Sequence, residues 1–317
     1  MRPTGKLHLG HLVGALENWV ALQSQYQNFH LIADYHALTT NLDTSGLYEN
    51  SIDMLIDWLS AGIDPTRSPV FRQSRIKEHT ELHLILSMLI TSARLERNPT
   101  VKDQVRDLSI ENISYGHLGY PVLQAADILL YKGEVVPVGE DQVPHVEITR
   151  EIARHFNTTY GAVFPEPEAK LTKFARLPGL DGDAKMSKSI GNTILLSDSP
   201  DEIRKKMKKA VTDPLKIRRG DPGRPEICLV YTYHQKFNPG EVPEIASGCR
   251  SGALGCVDCK ARAADHIIAT LAPIREKRVH YETHPKEVTD ILHDGEARAK
   301  RVAQTTIAEV REVMKLG

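Results

Sequence analysis

Two short motifs in this sequence carry residue types suited to phosphate chemistry. The first is His8-Leu9-Gly10-His11, which opens a segment whose apolar residues recur with helical spacing. A helix N-terminus presents free N–H groups and partial positive charge, and a glycine there lets a phosphate or a flat base approach the backbone. Two imidazoles add hydrogen-bond donors. The motif predicts a nucleotide site; the alternative is a pair of surface histidines beside a capping glycine.

The second motif is Lys185-Met186-Ser187-Lys188-Ser189, with Gly179, Gly182 and Gly191 nearby. Two ammonium groups three residues apart, with hydroxyls between them, suit a polyanion whose charge grows in a phosphoryl-transfer transition state. We therefore expect the loop from Gly179 to Gly191 to close on its ligand. The alternative is a solvated loop that happens to contain two lysines.

The first half of the chain must supply the elements that position these motifs. Helical patterns follow Gly10 and recur around 52–59 and 82–89, whereas 29–33, 70–71 and 135–138 look like short buried strands. Strands separated by helices predict a parallel sheet with helices on its faces. Ligands bind such sheets at the carboxyl ends of the strands, where residues 139–142 lie.

The second half of the chain has mainly helical patterns. Ser199-Pro200-Asp201-Glu202 combines a capping serine, a proline and an acidic third residue, and predicts a helix start. Eight basic residues and one acid follow between 204 and 219: Arg204, Lys205, Lys206, Lys208, Lys209, Lys216, Arg218 and Arg219. This basic run predicts either a surface for RNA phosphates or a solvated helix face.

Composition excludes several classes of protein. The chain has 317 residues, 41% of them hydrophobic, and 40 basic against 41 acidic residues give a net charge of −1. These values exclude a disordered chain and a globally basic DNA-coating protein. No apolar run approaches the roughly 18 residues of a membrane span. Because residues 1–6 lack an apolar signal segment, we expect a cytoplasmic protein with neither a membrane nor DNA as partner.

All four cysteines fall within 32 residues, at Cys228, Cys249, Cys256 and Cys259. Four thiolates fit a tetrahedral zinc ion or an iron–sulfur cluster, and the Cys256-x-x-Cys259 pair is typical of metal sites. A reducing cytoplasm favours metal-binding or free thiols over disulfides. The alternative is a set of free or partly disulfide-bonded cysteines.

The order of the two motifs, His-x-Gly-His and then Lys-Met-Ser-Lys-Ser, is the signature of class I aminoacyl-tRNA synthetases. The chain resembles the bacterial tryptophanyl-tRNA synthetases over nearly its whole length, through blocks at 2–5, 8–11, 34–37, 120–129, 136–142 and 185–189. One departure concerns the strand that precedes the first block in this family. Here Met1 directly precedes Arg2, so that strand and any substrate contact it carries are expected to be missing.

The resemblance implies an α/β fold: a Rossmann-like parallel sheet that binds the nucleotide, with a second, all-helical domain. The expected division is a catalytic domain at 1–183, an anticodon-binding helical domain at 184–285 that carries the cysteines, and a C-terminal helix at 286–317 that packs back on the catalytic domain. Some members of the family hold a [4Fe–4S] cluster on similarly spaced cysteines, so the resemblance implies such a cluster or zinc here as an accessory.

The implied reaction joins L-tryptophan to tRNA(Trp) in two steps with ATP and Mg²⁺, in a homodimer. Three other readings remain open: a non-catalytic paralogue that binds tRNA or protein, a tyrosine-specific relative, and a small-molecule nucleotidyltransferase. Tryptophan is favoured over tyrosine because tyrosine-specific relatives carry a Gly-Ser-Asp-Gln-type block where this chain has Gly139-Glu140-Asp141-Gln142.

The resemblance and the motifs together assign the nucleotide site. Catalysis is assigned to His8, His11, Lys185, Ser187 and Lys188. Nucleotide binding is assigned to Arg2, Pro3, Thr4, Gly10, His11, Gly139, Glu140, Asp141, Leu177 and residues 185–189, with Leu177 and Met186 beside the adenine.

The amino-acid site needs a fixed acceptor, because the indole N–H only donates. Asp127 meets this need, and the resemblance places the family's indole-binding aspartate there; the alternative is an aspartate paired within the core. The other expected contacts are His36, Tyr120, Gln124 and Gln142, with Val136 and Val138 as apolar walls.

Overall fold

The structure is a computed structural model that describes residues 1–107, 111–171, 177–182, 186, 188 and 190–317. Its strands are β1(His30–Ile32), β2(Val70–Arg72), β3(Val135–Val138) and β4(Glu168–Leu171). Its α-helices are α1(Leu9–His11), α2(Glu17–Leu22), α3(Asp34–Ala37), α4(Leu47–Ala61), α5(Glu78–Ser87), α6(Ser92–Glu96), α7(Pro99–Asp107), α8(Tyr115–Leu129), α9(Val143–Tyr160), α10(Pro200–Lys209), α11(Leu229–Phe237), α12(Val242–Ser251), α13(Cys256–Thr283) and α14(Pro285–Met314). A π-helical stretch, Leu12–Leu16, joins α1 to α2, and 3₁₀ turns lie at Gln73–Arg75, Glu140–Gln142, Pro225–Ile227 and Pro239–Glu241.

The strands form two parallel pairs. In the first pair β1 lies beside β2, with His30 opposite Val70, and in the second β3 lies beside β4. Met1 extends the first pair, because its amino group donates to the Leu31 carbonyl at 2.7 Å and its own carbonyl accepts the Ala33 N–H at 2.8 Å. The predicted α/β fold with parallel strands is confirmed.

Helix boundaries follow from local chemistry. Ser199 accepts the Glu202 N–H while the Glu202 carboxylate accepts the Ser199 N–H, so α10 begins with the predicted capping box. Gly62 ends α4 in the left-handed region, at φ +112°, where glycine is favoured because it has no Cβ. Beyond residue 199 the described chain consists of helices and turns, in agreement with the predicted helical second half.

Two apolar clusters hold these elements together. One gathers side chains from α4, α10, α11 and α13, including the fully buried Trp58 and Tyr233. The other joins α5, α8, α9 and α14 around Phe71 and Phe156. Within the described ranges, no helix is long and apolar enough to cross a membrane.

The last helix, α14, lies directly on the first strand pair. A Cβ on Gly295 would stand 2.0 Å from the Val70 carbonyl oxygen, so this close approach requires glycine. Beside it, the Arg72 guanidinium donates to Glu296 at 2.7 Å. The C-terminal helix therefore packs against β2, and β2 leads directly into the candidate active site.

Candidate active site

A cavity of about 940 Å³ lies between the two strand pairs and is lined by residues of both. This volume is at the upper end of the range for small-molecule sites. The first histidine motif, the carboxyl half of α8 and the end of β3 all contribute to its walls. The cavity thus brings together segments that are more than 100 residues apart in the sequence.

The first motif forms the start of the first helix. His8 is the N-cap of α1, and its Nδ1 accepts the Gly10 N–H at 3.1 Å. The His11 Nδ1 accepts the His8 N–H at 3.3 Å. Because both Nδ1 atoms are acceptors, the neutral rings carry their protons on Nε2, and both histidines line the cavity.

Met186 and Lys188 of the second motif lie near the first motif, because the chain that follows them pairs with residues 7–9. The Leu9 N–H donates to the Ile194 carbonyl and the Leu196 N–H to the Leu7 carbonyl, both at 2.9 Å. Met186 is buried in the cavity wall, and its Sδ would lie 3.5 Å from a Cβ placed on Gly10. Leu177 is buried in the same wall.

Lys188 lies outside the cavity lining and contacts the loop before the first helix. Its ammonium group donates to the carbonyl of Thr4 and, at 3.0 Å, to that of Lys6. Burial lowers the pKa of Lys188, while the charges of Asp57 and Asp53 oppose this change. The remaining residues of this motif with an assigned role, Lys185, Ser187 and Ser189, lie outside the described residues.

Asp127 is the centre of a buried polar cluster in the cavity wall. Its Oδ2 accepts from the His36 Nε2 at 2.9 Å, and its Oδ1 accepts from both the His79 Nδ1 and the Gln73 Nε2 at 2.7 Å. Burial opposes ionisation, but the hydrogen bonds and charges of His36 and His79 hold the pKa of Asp127 below its usual range. The site therefore contains an ionised acceptor away from water.

Tyr120 and Gln124 lie on α8, the helix that also carries Asp127, and both line the cavity. The Tyr120 hydroxyl is 2.7 Å from the His145 Nε2, and the His145 Nδ1 lies 3.0 Å from the Asn98 Nδ2. Burial lowers the pKa of His145 to about 4, so its ring is neutral. Because the Asn98 amide nitrogen can only donate, His145 carries its proton on Nε2 and donates to the tyrosine oxygen.

The carboxyl end of β3 supplies the last wall. Val136, Val138, Gly139, Asp141 and Gln142 line the cavity there. The Gln142 Nε2 donates to Asp141 at 3.0 Å, and the Thr100 hydroxyl donates to the Asp141 carbonyl at 2.8 Å. A Cβ on Gly139 would lie 2.8 Å from the Asp141 Oδ1, so glycine permits this turn.

The structure does not bring every predicted residue to the cavity. Arg2 lines it, whereas Pro3, Thr4 and Glu140 do not. Pro3 is buried, Thr4 is exposed and Glu140 is exposed at the turn after β3.

Three residues of the Asp127 cluster were missed by sequence reasoning: Gln73, His79 and Tyr131. Gln73 directly follows β2, and the rule that ligands bind at the carboxyl ends of parallel strands could have indicated it. His79 and Tyr131 carry no such signal, because each is an isolated polar residue near the start or the end of a helix.

Half of the eight basic residues between 204 and 219 are engaged in contacts within the chain. Arg204 pairs with Asp265, Lys206 with Asp198, and Arg219 lies 3.8 Å from Asp258. Lys216 is buried and donates to the carbonyls of Asp221 and Cys249. The exposed members with no ion pair in the described structure are Lys205, Lys208, Lys209 and Arg218.

The four cysteines are free thiols close to one another. Burial first, and then the charges of Cys228, Cys249 and Cys256, raise the pKa of Cys259 to about 12. Burial also raises the pKa of Cys249, and the charges of Cys228 and Cys256 add to this effect while that of Lys216 opposes it. Among the residues that the structure describes, however, no three His, Cys, Asp or Glu side chains are arranged to hold a metal ion. This arrangement does not support the predicted iron–sulfur or zinc centre.

Comparisons with known proteins agree with this site. The family model "tRNA synthetases class I (W and Y)" matches residues 1–272. A tryptophan–tRNA ligase of Thermotoga maritima is 50% identical over 100% of this chain and 98% of its own length. One of Aquifex aeolicus is 43% identical over 100% of this chain and 98% of its own length.

Among solved structures, a tryptophanyl-tRNA synthetase from Campylobacter jejuni, complexed with ADP and tryptophan, superposes with a TM-score of 0.88. Its sequence is 36% identical, and the match covers 99% of this chain and 98% of that one. The chain therefore belongs to the tryptophan and tyrosine family of class I tRNA synthetases.

Proposed function

We propose that this chain is a tryptophan–tRNA ligase, which activates L-tryptophan with ATP and transfers it to tRNA(Trp). Relatives of that name match the chain over 98% of their own length. The observation that carries the proposal is that one cavity joins a histidine-capped helix N-terminus to a buried, ionised aspartate. The first feature suits a nucleotide and the second suits the indole N–H.

The nucleotide half of the site uses the first helix and the end of β3. The Nε2–H groups of His8 and His11 donate to phosphate oxygens. Gly10 allows the nucleotide to approach the backbone closely, and Met186 and Leu177 then lie beside the adenine. Gly139 and Asp141 hold the ribose. Arg2, Pro3, Thr4, Glu140, Lys185, Ser187 and Ser189 complete the proposed contacts with the nucleotide.

The amino-acid half uses the carboxylate of Asp127 as the indole acceptor. Of the four lone-pair positions of a carboxylate, described donors occupy three, which leaves one on Oδ2. A ligand without a donor leaves that position unpaired, at a cost of about 1–3 kcal/mol. His36, Tyr120, Gln124 and Gln142 provide the polar contacts, and Val136 and Val138 provide the apolar walls.

The first step needs no nucleophile from the protein. A carboxylate oxygen of tryptophan attacks the α-phosphorus, the bond to the bridging oxygen breaks, and pyrophosphate leaves with its electrons. Negative charge grows on the β- and γ-phosphates, so we assign their stabilisation to Lys188 and Lys185. In the second step a hydroxyl of the terminal tRNA ribose attacks the acyl carbon and AMP leaves.

Enzymes of this family use ATP with Mg²⁺. Within the described ranges no set of protein ligands is arranged for a metal, so Mg²⁺ would be held mainly by the phosphates themselves. It would neutralise phosphate charge, while the positioning of ATP remains the task of residues 8–11 and the carboxyl end of β3.

The proposed domain division is 1–183, 184–285 and 286–317, and the packing of α14 on β2 supports the return of the last segment to the catalytic part. A homodimer is proposed from the exposed Leu84, on α5, and the exposed Met88, which caps the end of that helix. Light scattering would test it. A cytoplasmic location follows from the proposed use of tRNA.

A metal centre on Cys228, Cys249, Cys256 and Cys259 stays a prediction. Its support is the spacing of the four residues and the effect of the neighbouring thiols on the pKa values of Cys249 and Cys259. Iron and zinc analysis of the purified protein tests it, together with a visible iron–sulfur absorbance. Protein with neither metal would leave four free cysteines.

The proposed function is tested by amino-acid-dependent exchange of radiolabelled pyrophosphate into ATP. We expect exchange with tryptophan and at least a 100-fold lower kcat/KM with tyrosine, because the buried acceptor selects its partner. Exchange with tyrosine instead, or none with any amino acid, would reject the proposal.

A further inference from the structure

Asp127 is hydrogen-bonded to His79, which is in turn hydrogen-bonded to Tyr131, so the three side chains form a linear chain. The His79 Nδ1 lies 2.7 Å from the Asp127 Oδ1, and the His79 Nε2 lies 2.9 Å from the Tyr131 hydroxyl. The His79 side chain is fully buried. The Tyr131 ring is fixed by stacking on Phe29, with centroids 4.6 Å apart, and by packing on Phe71.

The direction of these hydrogen bonds follows from the chemistry of each group. Burial raises the pKa of Tyr131, so its hydroxyl is neutral and able to donate. An ionised Asp127 can only accept. His79 therefore donates its Nδ1–H to the Asp127 Oδ1, and the Tyr131 hydroxyl hydrogen-bonds the opposite ring nitrogen, Nε2.

This arrangement decides which oxygen of Asp127 stays available. Oδ1 already accepts two hydrogen bonds, from His79 and from the Gln73 amide, whereas Oδ2 accepts one, from His36. A histidine in the other tautomer would turn a lone pair toward Oδ1, and the carboxylate would have to rotate away from that repulsion. The ionised Asp127 itself excludes this tautomer, and the Tyr131 hydroxyl, 2.9 Å from Nε2, holds the His79 ring in place.

We propose that Tyr131 and His79 are positioning residues for amino-acid specificity: Tyr131 fixes the orientation of the His79 ring, and His79 holds Asp127 with Oδ2 open to an indole N–H. This inference rests on the proposed function, because it assumes that the ligand is tryptophan. Tyr131 and His79 are not among the expected binding residues. The inference gives them a role in distinguishing an amino acid whose ring donates a hydrogen bond from one whose ring does not.

The test compares two ligands of nearly equal shape. In 3-(benzothiophen-3-yl)alanine a sulfur atom replaces the indole N–H, so this ligand has no donor for Asp127. For each variant, calorimetry measures the Kd of both ligands, and the discrimination ratio is the Kd of the sulfur analogue divided by the Kd of tryptophan. In Tyr131→Phe we expect the Kd for tryptophan to rise about 10-fold while the Kd for the sulfur analogue stays within twofold, since a charge-assisted hydrogen bond is lost.

A second substitution tests whether Tyr131 acts through the His79 ring. His79→Asn places an amide N–H donor near the position of Nδ1 and leaves no ring nitrogen for Tyr131 to hold. We therefore expect His79→Asn to keep most of the discrimination ratio, and Tyr131→Phe to have no further effect on the ratio in that background. Such non-additivity is the signature of two residues that act as one unit.

Tyr26→Phe is the matched control, because Tyr26 lies in the same cavity wall and its hydroxyl makes no hydrogen bond to the Asp127 cluster in the described structure. Circular dichroism and thermal melting confirm that each variant is folded. Equal weakening of both ligands in Tyr131→Phe, or an unchanged ratio, would overturn the inference. If the unaltered protein did not bind tryptophan at all, the proposed function itself would fail.

Discussion

Replacing Arg278 with methionine should destabilise the chain strongly, because it removes the partner of a fully buried carboxylate. The side chain of Arg278 is 3% exposed and its guanidinium reaches Asp57 at 2.5 Å and Asp53 at 2.8 Å. Asp57 also accepts the Leu7 N–H at 2.6 Å, directly before the first histidine motif. The ion pair thus connects α13 to α4 and to the start of the site.

The expected loss is about 3–5 kcal/mol in the free energy of unfolding, the usual cost of breaking a buried ion pair. At about 2 °C per kcal/mol for a chain of this size, the melting temperature should fall by roughly 6–10 °C. Urea unfolding followed by circular dichroism measures the first value. Arg262→Met is the control on the same helix, since Arg262 pairs with the exposed Glu244 and should cost no more than about 1 kcal/mol.

The pH dependence gives an independent check. Burial raises the pKa of Asp57 to about 6, although the charge of Arg278 opposes this. The pKa of Asp57 is about 4 in the unfolded chain, so between about pH 4 and pH 6 the folded chain binds more protons than the unfolded chain. The stability that protonated Asp57 contributes is therefore lost as the pH rises through that window. Without Arg278 the pKa rises further, so the deficit of the variant should be larger at pH 8 than at pH 5.

Adding Asp57→Asn to Arg278→Met should recover part of the lost stability, because the unpaired charge is then absent. A loss below about 1 kcal/mol in Arg278→Met, or a deficit that does not depend on pH, would refute this reasoning.

Three further substitutions test the site and its support. Lys188→Ala should lower kcat for tryptophan activation by at least about 100-fold while the Kd for tryptophan stays within threefold, because its charge acts in the transition state. Gly10→Ala places a Cβ 3.0 Å from the His8 ring and should raise the KM for ATP about 10-fold in the exchange assay. Gly295→Ala places a Cβ 2.0 Å from the Val70 carbonyl and should destabilise the chain by about 3 kcal/mol or more in urea unfolding.

Each of these substitutions has a matched control. Lys205→Ala removes an exposed lysine that has no ion pair in the described structure. Gly116→Ala and Gly240→Ala introduce a Cβ that meets nothing within 4 Å. Equal losses of kcat and tryptophan affinity in Lys188→Ala would contradict its role, as would a wild-type KM for ATP in Gly10→Ala. Wild-type stability in Gly295→Ala would contradict the close packing of α14.

Local features of the fold were predictable from the sequence because their causes lie within a few residues. The capping box at Ser199, the end of α4 at Gly62 and the strand at 135–138 each follow from short-range chemistry. The two phosphate motifs were visible for the same reason, since each is a continuous stretch of chain.

The partners of the buried charges were not predictable in this way. His79 and Asp127 are 48 residues apart, and Arg278 and Asp57 are 221 residues apart. No local pattern shows which distant group a polar residue will meet, because the packing of whole helices decides it. The sequence therefore predicted Asp127 as the acceptor but did not show what keeps it ionised and oriented.

The most direct measurement is the transfer of radiolabelled amino acid to defined tRNA transcripts by the purified chain with ATP and Mg²⁺. We predict charging of tRNA(Trp) with tryptophan, no charging of tRNA(Tyr) with tyrosine, and a loss of tryptophan charging of at least about 10-fold in Asp127→Asn, where an amide replaces the carboxylate. Charging with tyrosine, or unchanged tryptophan charging in Asp127→Asn, would contradict the account.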